Sequence, residues 1–400
     1  MVATVASSTD IRYRTYPNDD YNGVVRVSSG GYSATGTLLF DGRAILTAAH
    51  LFQGGTEAAT VTFETSSGTQ TLSTAQVMRH RDYDGMSNND LAIVWLSAPA
   101  PATAHRYDIY RGDDELGQSF TMVGYGIRGT GDTGASSSAS AMPIRLKAEN
   151  RFDADASTLE NLLGPGLAWS PLAGTQLIAD FDNGKTVNDA MGQLIHRADL
   201  GLGLDEGVIA QGDSGGPAFI DGQIAGVASY IASLGWGSLS PDVDDTTNSS
   251  FGEIAAWQRA SAYQQWIDQA MRDRYAEAPR TPEEVSKAVA EGDSGTIHAY
   301  FLLQFTGARS DPDDILSVDY VTRDGTAKAG SDYLAVSGVL HLYPGETQAV
   351  IPVEVIGDAT GEPDEVFYLD VTNPVGGGLG EGVIKLTAVR TILDDDGWAG

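Results

Sequence analysis

Short runs of apolar residues alternating with polar ones, set between glycine-rich turns, fill most of the first 250 residues of the chain. The runs read GVVRVSS, TGTLLFD, RAILTAAH, ATVTFET, LAIVWLS, FTMVGYG and PAFIDGQIAGVASYI. Such runs are typical of half-buried β-strands, and long helical periodicity is absent among them. The pattern predicts an all-β barrel or sandwich in this part of the chain.

Two stretches interrupt this pattern. Residues 129–142, GTGDTGASSSASAM, are of low complexity and predict a mobile loop. From there to about residue 206, strand-like alternation and helical periodicity are mixed, and the sequence gives no assignment of secondary structure.

A helical pattern follows in EIAAWQRASAYQQWIDQAMRDRY, residues 253–275. Its apolar positions fall mainly on one face, which predicts an amphipathic helix closing the first domain near residue 276. Residues 277–283 then read as a linker. Strand-like alternation resumes in SVDYVT, GVLHLYP, AVIPVEVIG and EVFYLDVT, so residues 284–400 are predicted to form a second β domain of sandwich size.

Composition narrows the classes of function. Acidic residues outnumber basic ones by 54 to 24, which gives a net charge of −30 and a surface that repels nucleic acid and anionic lipid. No apolar run is long enough to cross a membrane, and without cysteine neither a disulfide nor a thiolate metal site can form. The start, MVATVASSTD, has neither the basic residues nor the apolar core of a signal peptide.

Three distant residues form a candidate catalytic set. His50 follows a hydrophobic run in ILTAAHLF, Asp90 precedes one in NNDLAIVWL, and Ser214 stands in QGDSGGPAF. A serine hydroxyl becomes a good nucleophile when a histidine takes its proton, and the histidine needs a carboxylate to hold its tautomer.

These three contexts, in this order, resemble the trypsin/chymotrypsin-like serine proteases, and HRDYD at residues 80–84 adds to the resemblance. The resemblance covers roughly residues 11–276 and implies a chymotrypsin-like double β-barrel with a C-terminal helix. It implies that His50 is general base and then acid, that Asp90 orients it, and that Ser214 attacks the scissile carbonyl. The N–H groups of Gly212 and Ser214 would form the oxyanion hole. The remaining histidines of this region, His80, His105 and His196, are expected to lie on loops or the surface.

The same resemblance implies positions for specificity and activation. The pocket floor falls on Val208 and the pocket wall on Ser229, Tyr230 and Ile231, which predicts cleavage after small or medium apolar residues. Family members often mature by freeing an N-terminal amine that pairs with the acid before the nucleophile, here Asp213. Ile11 stands at about the right distance before His50 for such an amine, but it reads equally well as an early β residue.

Two alternatives remain for the first domain. Residues 212–216 also satisfy G-x-S-x-G, the nucleophile elbow of α/β-hydrolases, but that fold needs a later histidine and alternating strands and helices. A pseudoenzyme is the other alternative, although no member of the triad is missing.

A second GDSG occurs in AVAEGDSGTIHAYFLL, where Ser294 reads as a turn residue because no histidine context precedes it in its own domain. This region resembles a Calx-beta domain, an immunoglobulin-like β-sandwich, through EGDSGT, SVDYVTRDGTAKAGSDY, GVLHLYPGETQAVIPVEVIGD, EPDEVFYLDVTNP and TILDDDG. Calcium-binding members collect carboxylates from these stretches, and hard oxygen ligands suit Ca²⁺. Carried over by position, the candidate ligands are Glu291, Asp332, Asp358, Glu362, Glu365, Asp394, Asp395 and Asp396.

These observations predict a secreted serine endopeptidase, its signal peptide absent from this sequence, with an accessory Calx-beta module that binds Ca²⁺ or a matrix partner. The chemistry itself needs no cofactor. One alternative is an adhesive, matrix-binding protein whose protease domain is a scaffold. Another is an acidic module that acts as an intramolecular inhibitor or chaperone and is removed on maturation.

Overall fold

The computed structural model describes residues 2–53, 58–136, 144–275, 277–309 and 311–396. By compactness the chain divides into two units, one of Met1–Leu39 and Arg43–Gln264, the other of Phe40–Gly42 and Gln265–Gly400. The boundary predicted near residue 276 lies further along the chain than this division and stays a prediction.

The first unit opens with a short buried strand and a closed six-stranded barrel in the order β2-β3-β4-β7-β6-β5. A Gly30-Gly31 turn with positive φ at both residues joins β2 to β3, as the twist of a tight hairpin requires. Val27, Ile45 and Phe63 are among the apolar side chains that fill the interior. The strands are β1 (Ala3–Thr4), β2 (Val24–Ser29), β3 (Tyr32–Leu38), β4 (Ala44–Thr47), β5 (Thr60–Thr65), β6 (Gly68–Arg79) and β7 (Ala92–Leu96).

A seven-stranded antiparallel sheet forms the other half of this unit, in the order β11-β8-β15-β16-β17-β13-β12, while β10, β9, β1 and β14 form a small separate sheet. The strands are β8 (Ser119–Gly124), β9 (Gly129–Thr130), β10 (Gly134–Ala135), β11 (Leu146–Arg151), β12 (Ala154–Asp155), β13 (Gln176–Asp180), β14 (Gly207–Val208), β15 (Pro217–Ile220), β16 (Gln223–Ala232) and β17 (Ile254–Arg259). The all-β prediction is confirmed. Part of the predicted loop at 129–142 forms β9 and β10, and residues 137–142 lie outside the described residues.

The stretch that the sequence left unassigned contains β11, β12 and β13 and two short helices. The helices are α1 (Ser157–Leu163) and α2 (Ala190–Ile195), and a third helix, α3 (Gln264–Arg272), follows the sheet. The longer helix predicted from residue 253 is therefore wrong in its first part, because Ile254–Arg259 is strand β17. This strand is hydrogen-bonded on both sides, to β16 and β13, and Trp257 packs edge-to-face on Phe120 and Phe152. No glycine or proline separates this strand from the helix that follows, so the local pattern does not mark the boundary between them.

The second unit contains a β-sandwich with one sheet of order β18-β24-β23-β20-β21 and a pair β19-β22. Tyr333, Val353 and Phe367 lie in its core. Within the same unit, the Tyr343 hydroxyl donates to Asp268 of α3 at 2.7 Å. The strands are β18 (Ala288–Ala290), β19 (Gly295–Gln304), β20 (Leu316–Asp324), β21 (Ser337–Leu342), β22 (Gln348–Gly357), β23 (Glu365–Val375) and β24 (Leu386–Leu393).

Candidate active site

His50 and Asp90 meet where β4 ends and β7 begins. The two strands are antiparallel partners, with Thr47 opposite Ala92, so the residues that follow β4 and precede β7 are neighbours. His50 lies in a 3-10 turn after β4, and its backbone N–H donates to Asp90 Oδ1 at 2.8 Å. Its ring Nδ1 lies 2.7 Å from Asp90 Oδ2. The pair of bonds fixes the ring with Nδ1 toward the acid and leaves Nε2 as the basic nitrogen.

The carboxylate of Asp90 is fully buried and receives a third hydrogen bond. Ser229 Oγ donates to Asp90 Oδ2 at 2.6 Å. Asn89, just before the acid, has a positive φ of 57° and donates through its amide to Asp82 O. Asparagine tolerates this conformation better than most residues, so the NND sequence explains the sharp turn that aims Asp90 inward.

The loop of Ser214 packs against the same strand end. Gly215 donates its N–H to Ala228 O at 2.7 Å, and Thr35 N donates to Ser214 O at 3.0 Å. A Cβ added to Gly215, which has a φ of +79°, would lie 2.1 Å from Thr47 Oγ1. Only glycine fits here, and its close approach places the residue after Ser214 beside the turn that carries His50.

The three predicted triad residues therefore converge on one region of the first unit. His50 and Asp90 are joined directly, whereas in the part of the chain that is described no hydrogen bond joins the Ser214 hydroxyl to His50. Catalytic hydrogen bonds are often long without substrate and tighten in the substrate complex.

The loop before Ser214 holds two backbone donors free of protein partners. Among the described residues neither Gly212 N–H nor Ser214 N–H donates a hydrogen bond. Asp213 between them is buried and accepts from Gly126 N and Ala210 N, both at 2.8 Å. Burial raises the pKa of Asp213 to about 6. Two backbone N–H groups of this loop are thus available to another acceptor, as an oxyanion hole requires.

The residues predicted to line a specificity pocket lie in unlike settings. Val208 is wholly buried in the apolar core on β14, paired with Ala3, so it is not open to a substrate in this structure. Tyr230 donates to Gln176 Oε1 at 2.8 Å and accepts from Trp169 Nε1 at 3.1 Å. Ile231 is half-buried on β16 next to it.

Ser229 has a role that sequence reasoning missed, since it was placed only in the pocket wall. Its bond to Asp90 makes it a positioning residue for the acid. Gln258 Nε2 lies 3.4 Å from Ser229 Oγ and also donates to Ser87 O at 2.7 Å. Residues so distant in sequence carry no local signal of this network.

Ile11 does not lie at Asp213 in this chain. It begins a 3-10 turn, Ile11–Tyr13, and its side chain is 77% exposed. Among the described residues no hydrogen bond joins Ile11 to Asp213. It is therefore no early strand residue here, and its role in activation stays a prediction.

Of the other three histidines of this unit, His80 is near the triad, since its backbone N–H donates to Leu91 O, next to Asp90, at 2.8 Å. His80 packs edge-to-face on Tyr263, and burial lowers its pKa. His105 and His196 are exposed, the latter ending α2 with a positive φ.

In the second unit Ser294 lies in an exposed bend directly before β19. Six of the eight predicted ligands form two groups whose carboxylate oxygens lie within 4.8 Å of one another. The groups are Glu291, Asp394, Asp396 and Asp332, Glu362, Glu365.

The remaining two predicted ligands lie at the margin of these groups. Asp358 accepts from its own loop at Thr360 N, 2.6 Å, and Asp395 accepts from Gly292 N at 3.1 Å. Burial, followed by the charge of Asp358, raises the pKa of Glu291 to about 7. Such crowding of acids fits a site for a hard cation.

In comparisons with known proteins, two family models match separate parts of the chain, one in each unit. Residues 12–154 match the model of the Trypsin family. This range includes His50 and Asp90 and ends before Ser214. Residues 305–396 match the model of the Calx-beta domain. No helix within the described residues is long and apolar enough to cross a membrane.

Curated relatives match through a small part of their length. Sodium/calcium exchanger 2 of Mus musculus is 34% identical over 153 residues, which cover 32% of this chain and 17% of that protein. The sodium/calcium exchanger Calx of Drosophila melanogaster is 41% identical over 91 residues, which cover 22% of this chain and 9% of that protein. The chain therefore spans less than a fifth of these relatives.

Among solved structures, neuropsin, a serine protease expressed in the limbic system of mouse brain, aligns with a TM-score of 0.45 at 18% identity. The alignment covers 65% of this chain and 98% of that one. The two family matches alone identify a Trypsin-family region at residues 12–154, followed by a Calx-beta domain at residues 305–396.

Proposed function

We propose that the chain is a serine endopeptidase whose triad is His50, Asp90 and Ser214. The observation that carries the proposal is the buried carboxylate of Asp90, which binds both the backbone and the ring of His50 beside the Ser214 loop. This arrangement holds an imidazole in one tautomer next to a hydroxyl on a glycine-rich turn.

In the proposed reaction His50 Nε2 takes the proton of Ser214 as Oγ bonds to the substrate carbonyl carbon. The N–H groups of Gly212 and Ser214 donate to the tetrahedral oxyanion. The imidazolium, stabilised by Asp90, gives its proton to the leaving amine as the C–N bond breaks. Water, deprotonated by the same nitrogen, then releases the acid from the acyl-enzyme.

For specificity we propose cleavage after small or medium apolar residues. The support is Ile231, whose branched side chain stands on β16 two residues after the Asp90 partner Ser229. Peptides that differ only in the residue before the scissile bond test this. A preference for Ala or Val is expected, Ile231→Gly should extend it to larger residues, and a preference for Arg would reject the proposal.

For the second unit we propose that Ca²⁺ binds at the groups around Glu291 and Glu365. Each group supplies three carboxylates, which can provide part of the six to eight oxygen ligands that Ca²⁺ takes. Bound Ca²⁺ would remove the repulsion between the acids and tighten that end of the sandwich. The matched relatives are sodium/calcium exchangers by name, which is consistent with the proposal.

We also propose that the protein acts outside the cell on protein or peptide substrates, with a matrix or cell-surface partner for the Calx-beta module. Recovery of the protein in the exported fraction of the producing cells tests the location. Its absence from that fraction would reject it.

The decisive test of activity is labelling of the full chain with a fluorophosphonate, followed by peptide mass spectrometry. Ser214 should be modified and Ser294, the serine of the other GDSG, should not. Ser294→Ala is the matched control, and it should label and cleave like the parent. If Ser214→Ala leaves proteolysis unchanged, the triad is rejected; if the parent is neither labelled nor active but binds matrix, the adhesive alternative holds.

A further inference from the structure

Three carboxylates that neither the triad nor the Calx-beta domain uses come together in the first unit. Asp180 ends β13, Asp182 lies two residues later, and Asp189 is the N-cap of α2. One carboxylate oxygen from each lies within 4.8 Å of the others. The sequence IADFDNGKTVNDAMG places them on a strand end, a loop and a helix start.

This group differs from those of the second unit in its depth. All three residues are buried, with Asp182 only 3% exposed. Water therefore cannot screen their charges, and an isolated buried carboxylate is strongly disfavoured unless it is paired, protonated or bound to a metal.

One carboxylate oxygen of the group lacks a hydrogen-bond donor. Asp180 Oδ2 accepts from Met191 N at 2.7 Å, and Asp189 Oδ1 accepts from Gly192 N at 2.5 Å. Asp182 Oδ1 is buried and has no hydrogen-bond partner. A buried acceptor without a donor needs an explanation, and a bound cation supplies one.

The neighbouring charges do not balance the group. Among the described residues no lysine or arginine forms an ion pair with Asp180, Asp182 or Asp189. Arg151, on a strand of the same sheet, pairs with Asp199 at 2.6 Å. The other near neighbours are acids, and burial together with Asp180 and Glu206 raises the pKa of Asp182.

We propose that Asp180, Asp182 and Asp189 bind a divalent cation of the hard, oxygen-preferring class, with Ca²⁺ as the best fit. Carboxylates alone favour Ca²⁺, Mg²⁺ or Mn²⁺ over metals that prefer nitrogen or sulfur. Ca²⁺ accepts irregular coordination, which suits ligands from a strand end, a loop and a helix, whereas Mg²⁺ demands a near-ideal octahedron.

The site would stabilise the segment that leads to the nucleophile. Glu206 accepts from Asp182 N at 2.6 Å and from Leu202 N at 2.5 Å, and it directly precedes β14. A cation held by Asp182 therefore reinforces the loop between β13 and β14, from which the chain continues to Ser214. The stability of the first unit would then depend on a cation whether or not the Calx-beta domain binds one.

The test uses the full chain carrying Glu291→Gln, Asp394→Asn, Asp332→Asn and Glu365→Gln, so that binding at the second unit is removed. In this background, calorimetric titration with CaCl₂ should show one equivalent bound, and CaCl₂ should raise the melting temperature relative to chelator. Adding Asp182→Asn should abolish both effects. Asp221→Asn, the same change at an exposed turn, should preserve both.

A second readout separates lost binding from misfolding. In chelator, Asp182→Asn should melt at or above the temperature of its parent, because a buried carboxyl group whose ionisation is disfavoured has been replaced by a neutral amide. The proposal is overturned if the background protein binds no Ca²⁺, in which case protons neutralise the group. It is also overturned if Asp182→Asn keeps the bound equivalent. Neither result bears on proteolysis, which is measured separately.

Discussion

Asp90 Oδ2 accepts hydrogen bonds from two sides, from His50 Nδ1 at 2.7 Å and from Ser229 Oγ at 2.6 Å. One oxygen thus links the candidate general base to β16 of the second half of the unit. The orientation of the imidazole therefore depends on strands from both halves.

Replacing Asp90 by Asn should lower kcat by about 10⁴-fold with little change in the fold, because the amide favours the wrong imidazole tautomer. Steady-state cleavage of a peptide ester measures the loss. Asp82→Asn, an exposed acid in the loop before Asp90, is the control and should keep full activity. A loss below about tenfold would exclude Asp90 as the orienting acid.

Replacing Ser229 by Ala should lower kcat by roughly 10- to 100-fold, since a hydrogen bond to a charged group contributes about 1.5–3 kcal/mol. KM should stay nearly constant if Ser229 positions Asp90, whereas a pocket residue would change KM. Ser240→Ala removes a comparable serine-to-carboxylate bond at the surface and should have no effect. A change confined to KM would show that Ser229 lines the substrate pocket and does not position Asp90.

Replacing Gly215 by Ala should both destabilise the first unit and abolish labelling of Ser214. Gly174 has a nearly equal φ of +78° with no atom near its added Cβ, so Gly174→Ala measures the backbone cost alone, about 1 kcal/mol. Gly215→Ala adds a clash with Thr47 and should cost several times more in urea unfolding. Equal costs would show that the loop does not pack as described.

Asp370 should support the second unit at neutral pH. Hydrogen bonds from Thr387, then from Arg323 and Lys385, lower its pKa from 3.8 to about 2. Because the folded value is depressed, the stabilisation is present above pH 4 and is lost as the pH falls toward 2. Asp370→Asn should reduce hydrogen-exchange protection of β23 and β24 at pH 7 and make it less sensitive to acid. Asp314→Asn, at an exposed acid, should not.

Calcium binding to the second unit should divide between its two acidic groups. Glu291→Gln should remove one equivalent and Glu365→Gln another in calorimetric titrations of the full chain, because each group loses a charged ligand. Asp313→Asn, at an exposed acid outside both groups, should leave the titration unchanged. Identical titrations of all three variants would reject these carboxylates as ligands.

The sequence predicted many strands of the barrel and sandwich, because short apolar and β-branched runs between turn-forming residues are a local property. It failed at Ile254–Arg259, because neither glycine nor proline separates this strand from the helix that follows, and it gave nothing for α1 and α2, which are too short for helical periodicity to show.

The candidate site was predicted unevenly for a similar reason. His50, Asp90 and Ser214 stand in distinctive local contexts, whereas the link from Ser229 to Asp90 exists only after distant strands meet. The three buried aspartates of the first unit are also separated by ordinary loop sequence, and only folding brings their oxygens together.

The position of β17 has a consequence for biosynthesis. Ile254–Arg259 lies between β16 and β13, so the sheet that carries Ser229 cannot be completed until nearly the whole first unit has left the ribosome. A nascent chain that already displays His50, Asp90 and Ser214 would still lack the strand that holds β16 in place. On the proposed function, proteolytic competence should therefore arise only once this unit has been fully translated.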